Sequence, residues 1–167
     1  PERAQNGSIL PRVVDSRIWR TLPDRVILYT SWEHVVGTPG PKSGMRWLQT
    51  QIKRTRRHLP SWKLMAMVST DAIAWRLEDN VREYRCFTYD EARRLAWQKQ
   101  AKITRDMKEN VSWFEFLGEE GRFRVWFENR DSIRLKLIWL KRQHLAGIVL
   151  IPIGGEDLRI WEIWGGG

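Results

Sequence analysis

The chain has 167 residues, with 29 Lys or Arg against 20 Asp or Glu, a formal net charge of +9. This length suffices for one sizeable hydrophobic core, and a single cysteine, Cys86, excludes an internal disulfide framework and a cysteine-based zinc site. No apolar run is long enough to cross a membrane, and the basic charge is typical either of a protein with a polyanionic partner or of solvated helix surfaces.

The first part of the chain alternates between helical and strand patterns. The spacing of apolar residues predicts a short helix over 13–22, a buried strand over 26–30, a helix capped by Ser43 that runs to about His58, and an apolar strand over 64–68. This alternation predicts parallel strands joined by right-handed helical crossovers.

The middle of the chain breaks that rhythm. A helix is predicted over about 89–102, with Thr88 or Asp90 as its N-cap. The aromatic and β-branched runs at 111–117 and 122–127 flank a short turn with a glycine at each end, which is the signature of a β-hairpin.

The closing segment has three parts in a fixed order. A short aromatic strand that begins at Trp126 stops at an Asn/Asp cap, and a helix is predicted from about Asp131 to His144. A continuous apolar run over 147–153 follows and breaks at the turn Gly154-Gly155-Glu156-Asp157. A fully apolar run after a helix is typical of a strand buried on both faces of a parallel sheet. In an α/β barrel, the loop after such a strand lies at the end that carries the chemistry.

This segment, Trp126 to Ile163, resembles the last helix and strand of glycoside hydrolase family 18 barrels, closest to the chitinase-like and spore-cortex-lytic group. That group closes with an aliphatic strand, a Gly-x-Glu-Asp turn and an Arg-Ile-Trp helix start. The helix and hairpin before it are similar to the family's small α+β insertion. The resemblance implies an α/β fold, the C-terminal half of a (β/α)8 TIM barrel, with barrel elements over 12–79, the insertion over 80–127, and the last helix and strand over 128–164.

Carried over residue by residue, the resemblance implies a set of sugar-contacting positions. Glu33 and His34 match the Glu-His that follows strand six in the cortex-lytic group, whereas Ser31 and Trp32 replace the family's Tyr and Asp. Trp75 matches the Trp that ends the strand-seven motif. The candidate substrate-binding residues are Trp32, Glu33, His34, Asp71, Trp75, Trp113 and Glu156.

The family's catalytic Glu, which lies in an Asp-x-x-Asp-x-Asp-x-Glu motif, is absent from this chain. Family hydrolysis is substrate-assisted and needs that Glu to protonate the leaving oxygen. We therefore expect a family 18-like domain that acts on or binds N-acetylglucosamine polymers, chitin or peptidoglycan, and is inactive alone. The alternatives are a non-catalytic cell-wall-binding protein on a degenerate barrel and, more remotely, a basic nucleic-acid-binding protein.

Several of these residues also have a purely structural interpretation. Tryptophans on predicted helices are expected to pack in the core, and they are Trp19, Trp47, Trp97 and Trp139. Trp32 and Trp75, just beyond strand ends, suit either packing or sugar contact. Glu156 and Asp157 are expected mainly to cap the helix that begins at Leu158, rather than to act as acid and base.

Partners and location follow from the resemblance. The expected partner is a polysaccharide, joined by the missing N-terminal half-barrel or by self-association, because a half-barrel leaves open sheet edges and an exposed apolar face. We expect no membrane partner, no cofactor and no metal, since the three histidines lie far apart in the sequence. An extracellular, cell-wall or spore location is implied by the family.

Overall fold

The computed structural model describes residues 16–34, 38–78 and 84–163, apart from the side chains of residues 16, 17 and 19. The helix expected over 13–22 lies partly outside these residues, and the side chain of Trp19 lies wholly outside them. Of the helices in the described ranges, none is both long and apolar enough to span a membrane.

One half of the structure is a three-stranded parallel sheet in the order β1-β2-β8. Its outer strands are the first and the last strand in the described part of the chain. Its central strand follows a short 3-10 helix at Ser61–Lys63. The elements of this half are α1 (Ser16–Thr21), β1 (Val26–Leu28), α2 (Met45–Thr55), β2 (Leu64–Ser69), α4 (Arg130–Lys141) and β8 (Gly147–Ile151).

Helices α2 and α4 cover one face of this sheet. Leu64, Ala66 and Val68 alternate along β2 and are fully buried against apolar residues of both helices, such as Leu48 and Leu137. The alternation is the two-residue period of a strand, so the intervening side chains point to the opposite face.

That opposite face is open in the described residues. Ile27 and Tyr29 are each 51% exposed, and residues 147–151 are half-buried or exposed. The prediction that the run at 147–153 is a strand buried on both faces was therefore wrong, because helices cover only one face of β8. The run is nevertheless a parallel strand, which the prediction had required.

The other half is a five-stranded antiparallel sheet in the order β4-β3-β7-β6-β5, with α3 on one face. The predicted hairpin is confirmed as β6 and β7, paired from Ser112↔Phe127 to Gly118↔Gly121. The sheet also includes β3, which lies before residue 80, where the insertion was expected to begin. Its elements are β3 (Ala72–Arg76), β4 (Tyr84–Phe87), α3 (Tyr89–Gln98), β5 (Thr104–Asp106), β6 (Val111–Gly118) and β7 (Gly121–Phe127).

Two helix starts differ in how well the sequence predicted them. Thr88 caps α3 as expected, with its hydroxyl accepting from Glu91 N and the Glu91 carboxylate accepting from Thr88 N, a capping box. Ser43 does not cap α2: the N-cap is Gly44, and the buried Ser43 hydroxyl has no hydrogen-bond partner among the described residues. Carboxylates from elsewhere in the chain bind the first N–H groups of α2 instead.

Of the tryptophans predicted to pack in the core, two are at least half-buried and one is exposed. Trp139 is partly buried against the core between β2 and the two helices, and Trp47 is half-buried. Trp97 was expected to pack as well, and that expectation was wrong, since its side chain is 80% exposed. Small residues, Ala92 and Ala96, form the face of α3 that meets the sheet, so Trp97 lies on the solvent side.

Candidate functional site

The candidate site lies where β1 and β2 end, at the carboxyl edge of the parallel sheet. The chain after β1 folds back on itself, with Glu33 N donating to the carbonyl of Lys42 at 2.8 Å. This loop brings Trp32 and Lys42 over Asp71, which lies two residues beyond the end of β2. The carboxyl ends of parallel strands meet at one edge of a sheet, which is why Lys42 and Asp71, 29 positions apart in the chain, converge here.

A buried ion pair lies at the centre of this site. The Lys42 ammonium donates to Asp71 Oδ2, and Ser69 Oγ donates to Asp71 Oδ1 at 2.7 Å. The same ammonium lies 4.8 Å from the ring centroid of Trp32, a cation–π contact. Both oxygens of Asp71 are therefore bound by donors, so this carboxylate orders the site around it.

Three aromatic rings form a wall beside the ion pair. Trp32 meets Tyr84 edge to face with centroids 5.7 Å apart, and Tyr84 lies against Trp75 at 5.2 Å. Tyr84 is 41% exposed and Trp32 is half-buried, so these two rings face outward together.

Trp75 has a different role from the sugar contact that was expected of it. It is 2% exposed, and its indole Nε1 donates to the Gly40 carbonyl at 2.8 Å. The expected sugar contact at Trp75 is ruled out in this arrangement, because protein atoms cover its ring. Trp75 instead holds the loop after β1 and supports Tyr84.

Glu33 and His34 join that loop to the start of α2. Glu33 Oε2 accepts from Gly44 N at 2.7 Å, while its other oxygen lies 3.6 Å from His34 Nε2. His34 Nδ1 donates to the Thr38 carbonyl at 2.9 Å. Interaction with the nearby Glu33 carboxylate is the main cause of a raised pKa for His34, against the lowering effect of burial.

A second carboxylate reaches the same helix start from the antiparallel sheet. Glu109 Oε2 accepts from Arg46 N at 3.1 Å, and the Glu109 carbonyl accepts from Met45 N at 2.9 Å. The N-terminus of a helix attracts negative charge, which favours both contacts. Glu109 thereby fixes the antiparallel sheet against α2.

Trp113 lies on the same face of the antiparallel sheet as Trp32. Both pack against a cluster that contains Ile73, Trp75 and Trp126. The Arg124 guanidinium lies 4.8 Å from the Trp113 ring centroid. Trp113 thus extends the aromatic wall along the sheet.

Glu156 is held apart from these residues, in the turn after β8. Its carboxylate accepts from Gly154 N, from Gly155 N and from Trp161 Nε1. Burial acts to raise the pKa of Glu156, but these hydrogen bonds outweigh it and the pKa is lowered. The expected capping role belongs to Asp157, which accepts from Arg159 N at 3.2 Å, while Glu156 binds its own turn.

Sequence reasoning missed three members of the site: Lys42, Tyr84 and Glu109. Lys42 had a signal, since it precedes a helix in a Gly- and Pro-rich loop, but nothing in the sequence links it to Asp71.

Among the residues that the structure describes, no group of three or more His, Cys, Asp or Glu side chains is placed to hold a metal ion. The arrangement offers outward aromatic rings on a scaffold ordered by charge pairs, which suits binding of a ligand with flat apolar faces.

No protein-family model matches the chain, and no curated protein matches it. Solved structures do match. The spore cortex-lytic enzyme SleL of Bacillus cereus aligns with a TM-score of 0.80 at 23% identity, over 89% of this chain and 35% of that one. A chitinase from Chromobacterium violaceum aligns with a TM-score of 0.80 at 21% identity, over 89% and 47%. A class V chitinase from Nicotiana tobaccum aligns with a TM-score of 0.56 at 17% identity, over 74% and 39%.

These likenesses establish the fold alone, because the identities are low. The chain has the fold of part of a (β/α)8 barrel of the family 18 kind, so the predicted fold class is confirmed. It spans about a third to a half of the length of these three solved structures.

Proposed function

We propose that this chain is the glycan-binding part of a family 18-like barrel and that its ligand is a polymer of N-acetylglucosamine, such as chitin or peptidoglycan. The observation that carries the proposal is the pair of outward-facing rings in the aromatic wall, Trp32 and Tyr84, at the carboxyl edge of the parallel sheet. Barrels of this fold place their sites at that edge, and solved structures of the same fold are described as a cortex-lytic enzyme and chitinases.

The chemistry of the wall suits a sugar chain. Pyranose rings have apolar C–H faces that stack on indole and phenol rings, and such contacts bury large areas without requiring charge. The flanking ion pair of Lys42 and Asp71 holds Trp32 from below, so the ring is in place before a ligand arrives. A preorganised platform of this kind binds without the entropic cost of ordering a mobile side chain.

We further propose that the chain binds without hydrolysing. The acidic motif that supplies the proton donor in the resembled family is absent from the sequence. Asp71, Glu33 and Glu109, the carboxylates at the site, are each bound by donors. Their contacts support a role in positioning the loop after β1 rather than in proton transfer.

The test is a depletion assay with insoluble chitin and with purified peptidoglycan, at low and high salt. We expect Trp32→Ala to weaken binding about tenfold, the effect of losing roughly 1.4 kcal/mol of stacking. Trp62→Ala is the matched control, because Trp62 is 59% exposed but precedes β2, at the other end of the sheet.

Equal binding by the wild type and Trp32→Ala would contradict the proposal. Binding to both polymers that disappears at high salt in every variant would instead identify a charge-driven interaction, as expected for the basic nucleic-acid-binding alternative.

A further inference from the structure

A depression of about 520 Å³ lies at the C-terminal end of α3, away from the aromatic wall. Its volume falls in the range of ligand sites in proteins, roughly 300–1,000 Å³. The residues that line it are Arg93, Ala96, Trp97, Gln98, Gln100, Ala101 and Ile103. Trp97, the 80% exposed tryptophan of this helix, stands at its wall.

This depression is separated from the candidate site by the antiparallel sheet. Along β3, Ala72 and Ala74 pack toward α3, whereas Ile73 and Trp75 pack toward Trp32 on the other face. Since successive strand residues point to opposite faces, α3 and the aromatic wall lie on opposite sides of the sheet. One pyranose unit therefore cannot contact both Trp32 and Trp97.

The backbone at Gln100, just beyond α3, has a left-handed conformation. Helix α3 ends with Ala101 N donating to the Ala96 carbonyl and Gln100 N donating to the Trp97 carbonyl, a Schellman motif. Gln100 occupies the left-handed position of this motif with φ of +48°. Glycine is the residue that adopts this conformation without cost, and glutamine is not among the side chains enriched there.

A strained position filled by an amide points to a use for that amide. Residues held in sparsely populated backbone conformations cluster at active sites and ligand-binding sites. Gln98 adds a second amide, and Arg93 adds a guanidinium that no carboxylate pairs with in the described part of the chain. A sugar has an apolar ring face that stacks on an exposed indole, and polar groups around the ring that hydrogen-bond to amides and a guanidinium. The depression offers both kinds of group side by side.

We propose that this depression is a second saccharide-binding site, which takes N-acetylhexosamine units of the same polymer. Trp97 stacks on the pyranose ring, Gln98 and Gln100 hydrogen-bond to its hydroxyl and acetamido groups, and Arg93 donates to an acyl or carboxylate oxygen. The choice of ligand rests on the proposed function. The consequence is bivalence, since two sites on opposite faces of the sheet contact separate stretches of polymer and raise its retention.

Two variants test the site directly. Trp97→Ala is expected to weaken binding to insoluble polymer about threefold to tenfold, because loss of the second contact removes the avidity it supplies. Gln100→Gly relieves the left-handed strain, so we expect a Tm equal to or above that of the wild type together with weaker binding. A structural role for Gln100 alone would leave binding unchanged. Trp62→Ala is the matched control for an exposed tryptophan.

A titration separates this inference from the proposed function. The Trp97 indole N–H signal, identified by its disappearance in Trp97→Ala, is followed by NMR as N-acetylglucosamine tetrasaccharide is added to the wild type and to Trp32→Ala. A shift of this signal in both proteins supports the second site, whatever happens at Trp32. The inference is overturned if the signal does not shift, or if Trp97→Ala binds polymer as tightly as Trp62→Ala does.

Discussion

The carboxylate of Asp157 accepts a hydrogen bond from the backbone N–H of Arg130 at 2.9 Å, so the turn after β8 is tied to the first residue of α4. The same carboxylate accepts from Arg159 N and from the Arg159 guanidinium at 2.8 Å. One buried side chain in the turn after β8 thus joins the start of α4 to the start of a short 3-10 helix, Leu158–Ile163. Its negative charge also lies where the helix dipole of α4 favours it.

We expect Asp157→Asn to lower the free energy of unfolding by about 1–3 kcal/mol, because an amide cannot accept from all these donors at once. Denaturant unfolding at neutral pH measures this. Burial acts to raise the pKa of Asp157, but the hydrogen bonds from Arg159 and Arg130 N outweigh it and the pKa is lowered. Because the pKa is lowered in the folded state, its stabilising effect is fully present above the ordinary value of 3.8 and is lost as the pH falls from there through the lowered value.

The wild type and Asp157→Asn should therefore converge at acid pH. Asp131→Asn is the control, since Asp131 is an exposed acid in the first turn of the same helix and acts only through the dipole. A loss at Asp131 as large as that at Asp157 would contradict this account.

The ion pair of Lys42 and Asp71 should behave as a coupled unit. Each of Lys42→Met and Asp71→Asn alone is expected to cost about 3–5 kcal/mol, because each leaves a buried charge without its partner. The double variant should recover part of that loss, which a double-mutant cycle of unfolding free energies measures.

The exposed pair Arg85–Glu120 provides the comparison cycle, with a coupling expected near 0–1 kcal/mol. Strict additivity at Lys42 and Asp71 would show that the two charges do not depend on each other.

The pKa of His34 should depend on Glu33. We expect Glu33→Gln to lower this pKa, because the main cause of the raised value is the interaction with that carboxylate. A raised histidine pKa stabilises the fold fully below 6.5, and the effect is lost as the pH rises through the raised value. NMR titration of the imidazole measures the change.

Glutamine keeps an oxygen for Gly44 N, so the helix start survives the substitution. Glu109→Gln is the control and should lower the pKa of His34 less, since Glu109 raises that pKa less than Glu33 does. An unchanged titration in Glu33→Gln would rule out the contact.

The open face of the parallel sheet should drive self-association. Ile27 is half exposed on that face beside Tyr29, and contiguous apolar surface of this kind favours association. We expect Ile27→Lys to shift the protein toward monomer in sedimentation velocity experiments. Leu117→Lys, at an exposed position in the hairpin, is the control and should have no such effect. A wild type that stays monomeric at high concentration would contradict this prediction.

Local patterns determined the elements. The hairpin of β6 and β7, the capping box at Thr88 and the helix after Asn129 all follow from residues within a few positions of one another. Such signals are read correctly because turn and cap chemistry acts over three or four residues. The closing segment carried enough of them to indicate the barrel fold that the solved structures confirm.

Tertiary structure decided the rest. The burial of Trp75, the exposure of Trp97 and the partnership of Lys42 with Asp71 depend on which loop folds over which strand end. The cap of α2 comes from Glu33 and Glu109 rather than from the adjacent Ser43. The sequence by itself predicted α2, α3, α4 and the strands β1, β2, β6, β7 and β8, because those preferences are local, but it did not predict the short strands β3, β4 and β5. It did not determine which side chains meet, because long-range contacts are set by the packing of whole elements and leave no trace in spacing.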